Sequence, residues 1–439
     1  MIRAEKTYLR SFSLIGARKL HTAKNRCRET GNALLVTLVL SMTIGTVLAS
    51  YLGLIGSRYK VTVRSQSWNA AVAVMEAGVE EALTHIQDDL NNPAANGWTV
   101  GTLSGQTVYS KQRTFSDKSY FLVNIYYGAA GTTNTPYVYS TGFVPAPLSS
   151  SKYVSRTIKV AGTNQPLINL AFGAVAAIQM NGNGLAANSF DSSNPALSTN
   201  GQYDSSKTST NGSVASVYGP VSFGNHNIAG NLYLGPTATT TVSSGQVSGQ
   251  IYTDFNVSFP DVILPTTSWV PAATTVVNGS TVYHFTASGD YSVSGSSDIL
   301  VEPGVTARLR IDTTSFNPGN IHVLSTNGTS GTLTVYQVSG SASMSGNVTV
   351  DSGRARNFWY FGLPGVTSVT YGGTSSFVGV MYAPEADLTL NGGGNNNGLI
   401  GASITKSITM NGHYNFHFDQ DLLSVGPSRG YIVTSWKEL

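Results

Sequence analysis

Residues 30–57 read TGNALLVTLVLSMTIGTVLASYLGLIGS, and this run of 28 residues contains no charged side chain. A helix needs about 20 apolar residues to cross a bilayer, so the run is long enough to span a membrane with some tilt. Its three glycines, Gly45, Gly53 and Gly56, are too few to exclude a helix. We therefore expect a transmembrane anchor near the N-terminus that holds the rest of the chain.

The residues before the anchor predict its orientation. Residues 1–31 hold eight Lys or Arg and two Glu, a net charge of +6 against +3 for the whole chain, so the remainder carries about −3. A positive flank stays on the cytoplasmic side, and everything after Ser57 is expected outside the cytoplasm. The run exceeds the apolar core of a signal peptide and no small-x-small site follows it, which favours an uncleaved or N-terminally trimmed anchor. No nucleic-acid partner is implied.

The composition is typical of an exported β protein. Only 11% of the residues are charged and 47 are glycine, which suits short strands joined by turns. The single cysteine, Cys27, precedes the anchor, so the exported part has no disulfide. Burial and hydrogen bonding alone must stabilise it, and the length leaves room for two exported domains.

An amphipathic stripe follows the anchor without an intervening proline. Apolar residues recur at steps of three and four over residues 68–90, and charged residues such as Glu76 occupy other faces. Residues 91–93 (Asn-Asn-Pro) would end a helix that is roughly 90 Å long if it begins at Asn32. Two interpretations stay open: an ordinary helix packed on a sheet, or one rod that is embedded in lipid first and covered by a sheet afterwards. The helical segment is assigned to residues 32–92.

Residues 93–165 contain four strand-like runs separated by turn-forming residues. The runs are residues 107–109, 120–127, 137–141 and 154–160. The alternating apolar residues Phe121, Val123 and Ile125 could face the stripe that begins at Trp68 and bury it. We therefore expect a small antiparallel β-sheet head behind the helix.

A short phrase recurs in the second half of the chain, in which an apolar-x-apolar strand is closed by Asn-Gly. It occurs at residues 178–182, 388–392 and 408–412, and the last two copies start 20 residues apart. That spacing is close to one coil of a parallel β-helix. We expect residues 166–425 to form a large right-handed parallel β-helix of about ten to twelve coils. The alternative is a β-sandwich with hairpins, because Asn-Gly also favours type I′ turns.

One Pro- and Thr-rich stretch near residues 254–280 does not fit regular coils. It contains Phe259, Pro260, Pro265, Trp269 and Pro271. We interpret it as a connection between two β blocks that crosses the outside of the fold, rather than as a lid. Residues 426–439 are interpreted as a C-terminal tail.

The N-terminal pattern resembles that of type IV pilins and pseudopilins, most closely the PilX-like minor pilins. A basic leader, residues 1–31, ends at Gly31, the uncharged helix follows, and an Ala-Glu segment around Glu76 lies behind it. The resemblance implies that a prepilin peptidase cuts between Gly31 and Asn32. The family's usual glutamate at the fifth mature position is replaced here by Val36, as in the K-type pseudopilin, which is a tip subunit. The resemblance therefore implies a tip or low-copy position.

About the last 250 residues resemble a C-terminal β-helix module found behind PilX-like helices in some bacterial envelope proteins. The likeness rests on residues 377–384, 398–401 and 416–422 and on the repeated phrase. It implies fold and location rather than activity. Together, the two resemblances imply a minor pilin or pseudopilin that displays a β-helix head at or near a filament tip, for adhesion or envelope scaffolding.

The implied partners are other pilins or pseudopilins, the pilus assembly or secretion machinery, the membrane through residues 32–57, and a glycan or surface ligand. The implied location is the inner membrane before assembly, then the cell envelope or an extracellular filament. We expect no cofactor and no metal. A membrane-anchored envelope protein that never enters a filament is the structural alternative.

Enzymatic interpretations depend on carboxylates, which parallel β-helix enzymes gather to bind calcium or to act as acid and base. Residues 166–425 hold 13 acids, and only two groups are close in sequence. The first is Glu385 and Asp387; the second is Asp419 and Asp421, after His413 and His417. We interpret the first as a solvated turn and the second as a solvent-facing edge that caps the last coil. No nucleophile elbow or phosphate loop is present, so we expect no enzyme; a surface polysaccharide lyase or hydrolase is the alternative.

Overall fold

The computed structural model describes residues 32–89, 95–103, 105–127, 136–146, 152–181, 186–224, 227–391, 398–411 and 414–439. They form one long N-terminal helix followed by a large, mostly β region, as predicted. Contacts within the chain divide it into two compact units. The first holds the described residues of 1–78, 112–122 and 141–157, and the second holds those of 79–111, 123–140 and 158–439.

Helix α1 spans Asn32–Thr84, and a π-helical turn at His85–Asp89 continues it. A single helix therefore carries both the apolar run and the amphipathic stripe. Ala71 and Met75 in the first unit are buried, as are Val79, Ala82 and Ile86 in the second. Trp68 departs from the predicted stripe, because it is 47% exposed and the Arg156 guanidinium lies 5.1 Å from its ring centroid.

The strands are numerous and many span only two to six residues, as the turn-rich sequence predicts, whereas β5, β24, β26, β27, β28 and β30 span 11–14 residues. The first five are β1 (Thr99–Leu103), β2 (Gln106–Thr114), β3 (Tyr120–Tyr127), β4 (Tyr137–Pro145) and β5 (Tyr153–Pro166). The next eight are β6 (Phe172–Ala174), β7 (Ile178–Met180), β8 (Ala186–Phe190), β9 (Val214–Ser216), β10 (Val221–Ser222), β11 (Asn227–Ile228), β12 (Leu232–Leu234) and β13 (Ile251–Tyr252). Then come β14 (Val270–Pro271), β15 (Thr275–Val277), β16 (Ser280–Phe285), β17 (Gly289–Val293), β18 (Asp298–Val301), β19 (Thr306–Ile311), β20 (Ser315–Phe316), β21 (Ile321–Val323), β22 (Ser325–Thr326) and β23 (Thr329–Ser330). The last are β24 (Thr332–Met344), β25 (Val348–Val350), β26 (Phe358–Tyr371), β27 (Phe377–Leu390), β28 (Gly398–Met410), β29 (Asn415–Asp419) and β30 (Ser428–Glu438).

A six-stranded sheet follows α1 in the order β1-β2-β3-β4-β5-β30. The alternating residues Phe121, Val123 and Ile125 are all buried on one face of β3. The residues interpreted from sequence as a C-terminal tail instead form β30, which runs antiparallel to β5. The physical reason is that β5 would otherwise present a free edge of unpaired backbone groups, which β30 satisfies.

The remaining strands form mainly a 17-stranded sheet and a 5-stranded sheet. The described pairings within the larger sheet are parallel, including those of β24 with β26, β26 with β27 and β27 with β28. Hairpins join antiparallel strands, so these pairings do not fit the β-sandwich alternative.

The repeated phrase marks strands that are direct neighbours. Leu388 of β27 is in register with Ile408 of β28, and Ile408 is in register with Ile178 of β7. All three side chains are buried, because alternate residues of each strand point to the same side. Recurrence in the sequence therefore corresponds to stacking in space.

The asparagine of each phrase forms a ladder beside this column. The Asn411 amide Nδ2 donates to Asn391 Oδ1 at 3.0 Å, and Asn181 Nδ2 lies 3.5 Å from Asn411 Oδ1. Each side-chain amide can both donate and accept, so one residue type serves every position of the ladder. This explains why asparagine closes all three strands.

The first strand of the parallel stack in sequence, β6, lies in the middle of the stack and not at one of its ends. Successive parallel pairings give the spatial order β13, β12, β9, β6, β28, β27, β26, β24, β19, β17, β14. The chain starts at β6, proceeds to β13 at one end, continues at β14 at the opposite end, and returns to β28 beside β6. The first and last parts of the stack are therefore neighbours, although Asn181 and Asn411 are 230 residues apart.

Residues 253–269, which we name the strap, contain no strand and link the two ends of the stack. Along the strap, Phe255 N donates to Leu234 O at 3.0 Å, Pro260 O accepts from Tyr382 Oη at 2.7 Å, and Thr267 Oγ1 donates to Asp290 Oδ2 at 2.7 Å. These partners lie on or beside β12, β27 and β17, in spatial order. Nine strand spacings, roughly 43 Å, separate β12 from β14. The 15 residues that follow Phe255 up to Val270 reach at most about 54 Å, so the strap must be largely extended.

The stack begins and ends side by side at β5 and β30. Pro166 is in register with Ser428, and Leu167 N donates to Pro427 O at 2.9 Å. Residues 167–427 are thus an insertion between two adjacent strands of the six-stranded sheet.

Candidate functional site

The first half of α1 is an apolar surface with nothing covering it among the described residues. Its most apolar 18-residue window has a mean hydropathy of 2.1 and no buried residue. Leu34, Met42 and Val47 are 78%, 71% and 68% exposed. Burying one such side chain contributes about 1.5–3 kcal/mol, so this surface strongly favours an apolar surrounding.

The hydroxyl groups on this half of the helix are satisfied by the helix itself. Side-chain oxygens of Thr37, Ser41, Thr43, Thr46 and Ser50 donate to carbonyls three or four residues earlier, at 2.8–3.0 Å. A polar group that is bonded internally costs little in a medium without water. Ser and Thr are therefore compatible with lipid or with a packed bundle of helices.

The predicted processing residues lie at the start of this surface. Gly31 lies outside the described residues, and Asn32 is the first residue of α1. Val36 is 59% exposed and continues the apolar surface. Cleavage between Gly31 and Asn32 stays a prediction.

The first carboxylate pair lies on an outward face of β27, not in a turn. Glu385 and Asp387 are exposed on either side of buried Ala386. Asp387 Oδ1 accepts from Ser407 Oγ at 2.5 Å. Pro384 lies where the register between β27 and β28 shifts. The regular hydrogen-bond ladder is interrupted there, so the N–H that proline lacks is not needed. Over the described residues, no group of three His, Cys, Asp or Glu could hold a metal ion.

The second group is buried, so its interpretation as a solvent-facing edge is wrong. His417, Asp419 and Asp421 are 8%, 0% and 4% exposed, while His413 lies outside the described residues. The reason is that β29 pairs with β8 and that residues after β8 fold over its outer face. The Tyr203 ring stacks on the His417 imidazole with centroids 3.6 Å apart.

The Asp419 carboxylate connects three segments of the chain. Oδ1 accepts from Ser192 N at 2.9 Å and from Asp421 N at 3.2 Å, and Oδ2 accepts from Ala355 N at 3.3 Å. Burial raises the pKa of Asp419, and the hydrogen bonds from Ser192 and Asp421 only partly oppose that shift. Its role is to satisfy buried backbone donors where three segments meet.

His417 is held as a neutral ring. Its Nδ1 lies 2.6 Å from Asn188 Oδ1, and burial lowers its pKa to about 4. An amide oxygen only accepts, so Nδ1 carries the proton in this pair. In the same group, Arg356 Nε lies 3.3 Å from Asp421 Oδ2. The group therefore joins chain segments through these contacts.

Comparison with known proteins gives two similarities. Residues 273–425 match a family described as a domain of unknown function (DUF7305). This part of the chain is the returning half of the parallel stack, from just after β14 to just after β29. No match is found among curated proteins. The competence-associated pilin ComZ from Thermus thermophilus is similar in structure at 13% identity, over 85% of this chain and 97% of that chain, with a TM-score of 0.30. At that TM-score the likeness does not establish a shared fold.

Proposed function

We propose that this chain is a pilin-like envelope subunit that is anchored through the first half of α1 and carries its parallel β region outside the cytoplasm. The observation that carries the proposal is α1 itself. One continuous helix has an exposed apolar half with internally bonded hydroxyls and a second half with a buried stripe. The net charge of +6 over residues 1–31 supports the orientation.

We further propose that the parallel strands wind as a right-handed β-helix. Over residues 289–350, β17, β19, β20 and β24 belong to the larger sheet and β18, β21 and β25 to the smaller one, so the chain passes back and forth between the two sheets, with β19 and β20 in succession in the larger sheet and the hairpin of β22 and β23 outside both. A coil that contributes one strand to each of two sheets produces this alternation. The right hand follows the general preference of parallel crossover connections.

The position in an assembly is proposed from Val36. A carboxylate in the apolar core of a filament needs an oppositely charged partner. A valine at that position needs no such partner and offers no charge to a neighbouring subunit. This supports a tip or low-copy position from which the β region serves adhesion or envelope scaffolding, with other pilins and their assembly machinery as partners. The alternative is an anchored envelope protein that never enters a filament, because lipid alone also satisfies the exposed helix.

The mass of the mature N-terminus tests the proposal. After co-expression with a prepilin peptidase, we expect the chain to start at Asn32, and Gly31→Leu to leave the leader attached. Gly45→Leu is the matched control, because no atom lies within 4 Å of its added Cβ and it is remote from the cut. An intact residue 1 in the wild type contradicts the prepilin interpretation, and a start beyond Ser57 indicates a removed signal.

Immunolabelling of sheared filaments then separates the two structural alternatives. A tip subunit places label at filament ends, and a stationary anchor leaves label in the membrane fraction only.

For the enzymatic alternative, unchanged polysaccharide turnover after Glu385→Ala and Asp387→Ala removes the exposed carboxylate pair as its site.

A further inference from the structure

A polar cleft of about 360 Å³ lies beside the 3₁₀ turn Ala355–Asn357. Its lining includes Arg354, Arg356, Asn357, Trp359 and Gly426. The whole cleft belongs to the second compact unit. Its volume lies at the small end of the range of ligand pockets in proteins.

The cleft concentrates positive charge in an acidic region. Residues 166–425 contain 13 acids and six bases, and two of the six bases are the arginines of this one turn. No lining residue is acidic. Elsewhere in the region, Arg308 pairs with Asp290 at 2.5 Å and Arg310 with Asp312 at 2.8 Å. Within the described residues, the half-buried Arg354 guanidinium has no such partner.

Arg356 is only partly neutralised. Its Nε lies 3.3 Å from Asp421 Oδ2, and Asp421 is buried behind it. The contact with Asp421 holds the Arg356 guanidinium at the cleft. Arg354, two residues earlier in the chain, lines the same cleft. The cleft thus holds two guanidinium groups, and only that of Arg356 contacts a carboxylate, so a further anion is favoured there.

The walls of the cleft are fixed by hydrogen bonds. Asn357 Nδ2 donates to Gly331 O at 3.0 Å and lies 3.3 Å from Thr332 Oγ1, and Trp359 Nε1 donates to Arg356 O at 2.9 Å. Gly426 has φ +90°, and a Cβ there would lie 2.4 Å from the Trp359 ring. Such a wall is in place before a ligand arrives, which lowers the ordering cost of binding.

We propose that this cleft binds an anionic saccharide, with the acid group held by Arg354 and Arg356 and the hydroxyl groups facing the polar wall. The planar guanidinium matches a uronic acid carboxylate and a sugar phosphate equally well, so the shared chemistry is an acid group on a sugar ring. The inference deepens the adhesion part of the proposed function, and it rests on that function only for the location of the β region outside the cytoplasm.

Isothermal titration calorimetry on the full chain in detergent tests the proposal with three probes: a tetrasaccharide containing glucuronic acid, glucose 6-phosphate, and neutral maltotetraose. We expect at least one anionic probe to bind, to bind more weakly as salt rises, and maltotetraose not to bind. The arm that binds identifies a carboxylate or a phosphate as the recognised group. Failure of both anionic probes, or equal binding of maltotetraose, overturns the proposal.

Arg354→Gln separates recognition from folding. It removes the unpaired charge, and we expect it to weaken binding of the anionic probe roughly tenfold or more without moving the thermal midpoint. Arg310→Gln is the matched control, because Arg310 pairs with Asp312 and does not line the cleft. Wild-type affinity in Arg354→Gln contradicts the proposal. None of these results depends on where the N-terminus is cut, so this site and the proposed function fail separately.

Discussion

Asp419 stabilises a three-way junction through one carboxylate. Its two oxygens accept from the backbone N–H groups of Ser192, Ala355 and Asp421, which belong to segments far apart in sequence. A buried donor without a partner costs about 1–3 kcal/mol, so the contribution of this side chain exceeds that of an ordinary surface acid.

Asp419→Ala tests this role. We expect the free energy of unfolding to fall by roughly 3 kcal/mol or more, because three buried N–H groups lose their acceptor. The measurement is urea-induced unfolding of the full chain in detergent. Asp387→Ala, on the exposed face of β27, is the control and should change the free energy by less than about 1 kcal/mol. Equal losses of unfolding free energy in the two variants would show that Asp419 stabilises the fold no more than an exposed carboxylate does.

His417 predicts a pH dependence of stability. Burial lowers its pKa to about 4, whereas the unfolded chain takes up the proton near pH 6.5. Between these values the unfolded state binds more protons, so stability falls by up to about 3 kcal/mol as pH drops from 6.5 to 4. We expect His417→Gln to lose stability over this window less steeply than wild type. Asp419 titrates in both proteins and cancels from the difference, so parallel pH profiles would contradict the neutral, buried ring.

At the scale of elements, the packing of α1 in the first unit depends on a glycine. A Cβ on Gly142 of β4 would lie 2.5 Å from both Ala71 O and Met75 N. Both atoms belong to the backbone of the helix, so the helix itself would have to shift. The absence of a side chain at this position therefore sets how closely β4 approaches α1.

Gly142→Ala should lower the free energy of unfolding by roughly 1–3 kcal/mol, the usual cost of overpacking. Gly101→Ala on β1 is the control, since no atom lies within 4 Å of the added Cβ and the stability should barely change. Thermal unfolding followed by circular dichroism is sufficient to compare them. An unchanged midpoint in Gly142→Ala would mean that the helix and β4 are further apart than this geometry requires.

The strap connects the two halves of the stack but is not their main link. The strands β6, β7 and β8 pair directly with β28 and β29. A protease site inserted after Ile263, which is 84% exposed, should therefore be cleaved while the two fragments still elute together. Size-exclusion chromatography with and without urea checks this, with the uncut insertion as control. Fragments that separate without urea would contradict the described pairings.

The sequence predicted these elements where the signal was local. The Leu388 and Ile408 phrases, 20 residues apart, correctly indicated adjacent strands, and the 28-residue uncharged run indicated the exposed half of α1. Nothing local signalled that Ile178 would lie against Ile408, because that pairing closes a loop of 230 residues. The burial of His417 was missed for the same reason, since it depends on Tyr203, in a turn-rich segment without apolar periodicity.

At the scale of the whole molecule, the parallel stack is an insertion. Leu167 and Pro427 meet at the ends of β5 and β30, with N and O 2.9 Å apart. Insertions with adjacent ends disturb the host sheet little, because a short turn could join the same two strands. β5 and β30 are therefore neighbours in the six-stranded sheet, although the residues of the stack lie between them in the sequence.

Replacing residues 167–427 by a short Asn-Gly turn should leave a chain that folds. We expect cooperative thermal unfolding and a protease-resistant core that includes α1 and β30, since β5 and β30 keep their register. Deleting residues 254–427 is the contrasting variant, because it leaves β6 to β13 without β28 and β29 as partners, and it should aggregate. A variant lacking 167–427 that unfolds without cooperativity would show that the sheet needs the stack.

Under the export that we propose, the spatial order of the strands determines when the stack can close. In the proposed orientation the leader stays in the cytoplasm and the residues after the anchor cross the membrane in sequence order, which delivers β6 to β13 early, with one side of β6 still bare. The partner strand β28 arrives last, after all but about forty residues have emerged. The stack can therefore close only when translocation is nearly complete. A chain truncated before residue 398 keeps an open strand edge, which quality-control proteases and aggregating partners can recognise.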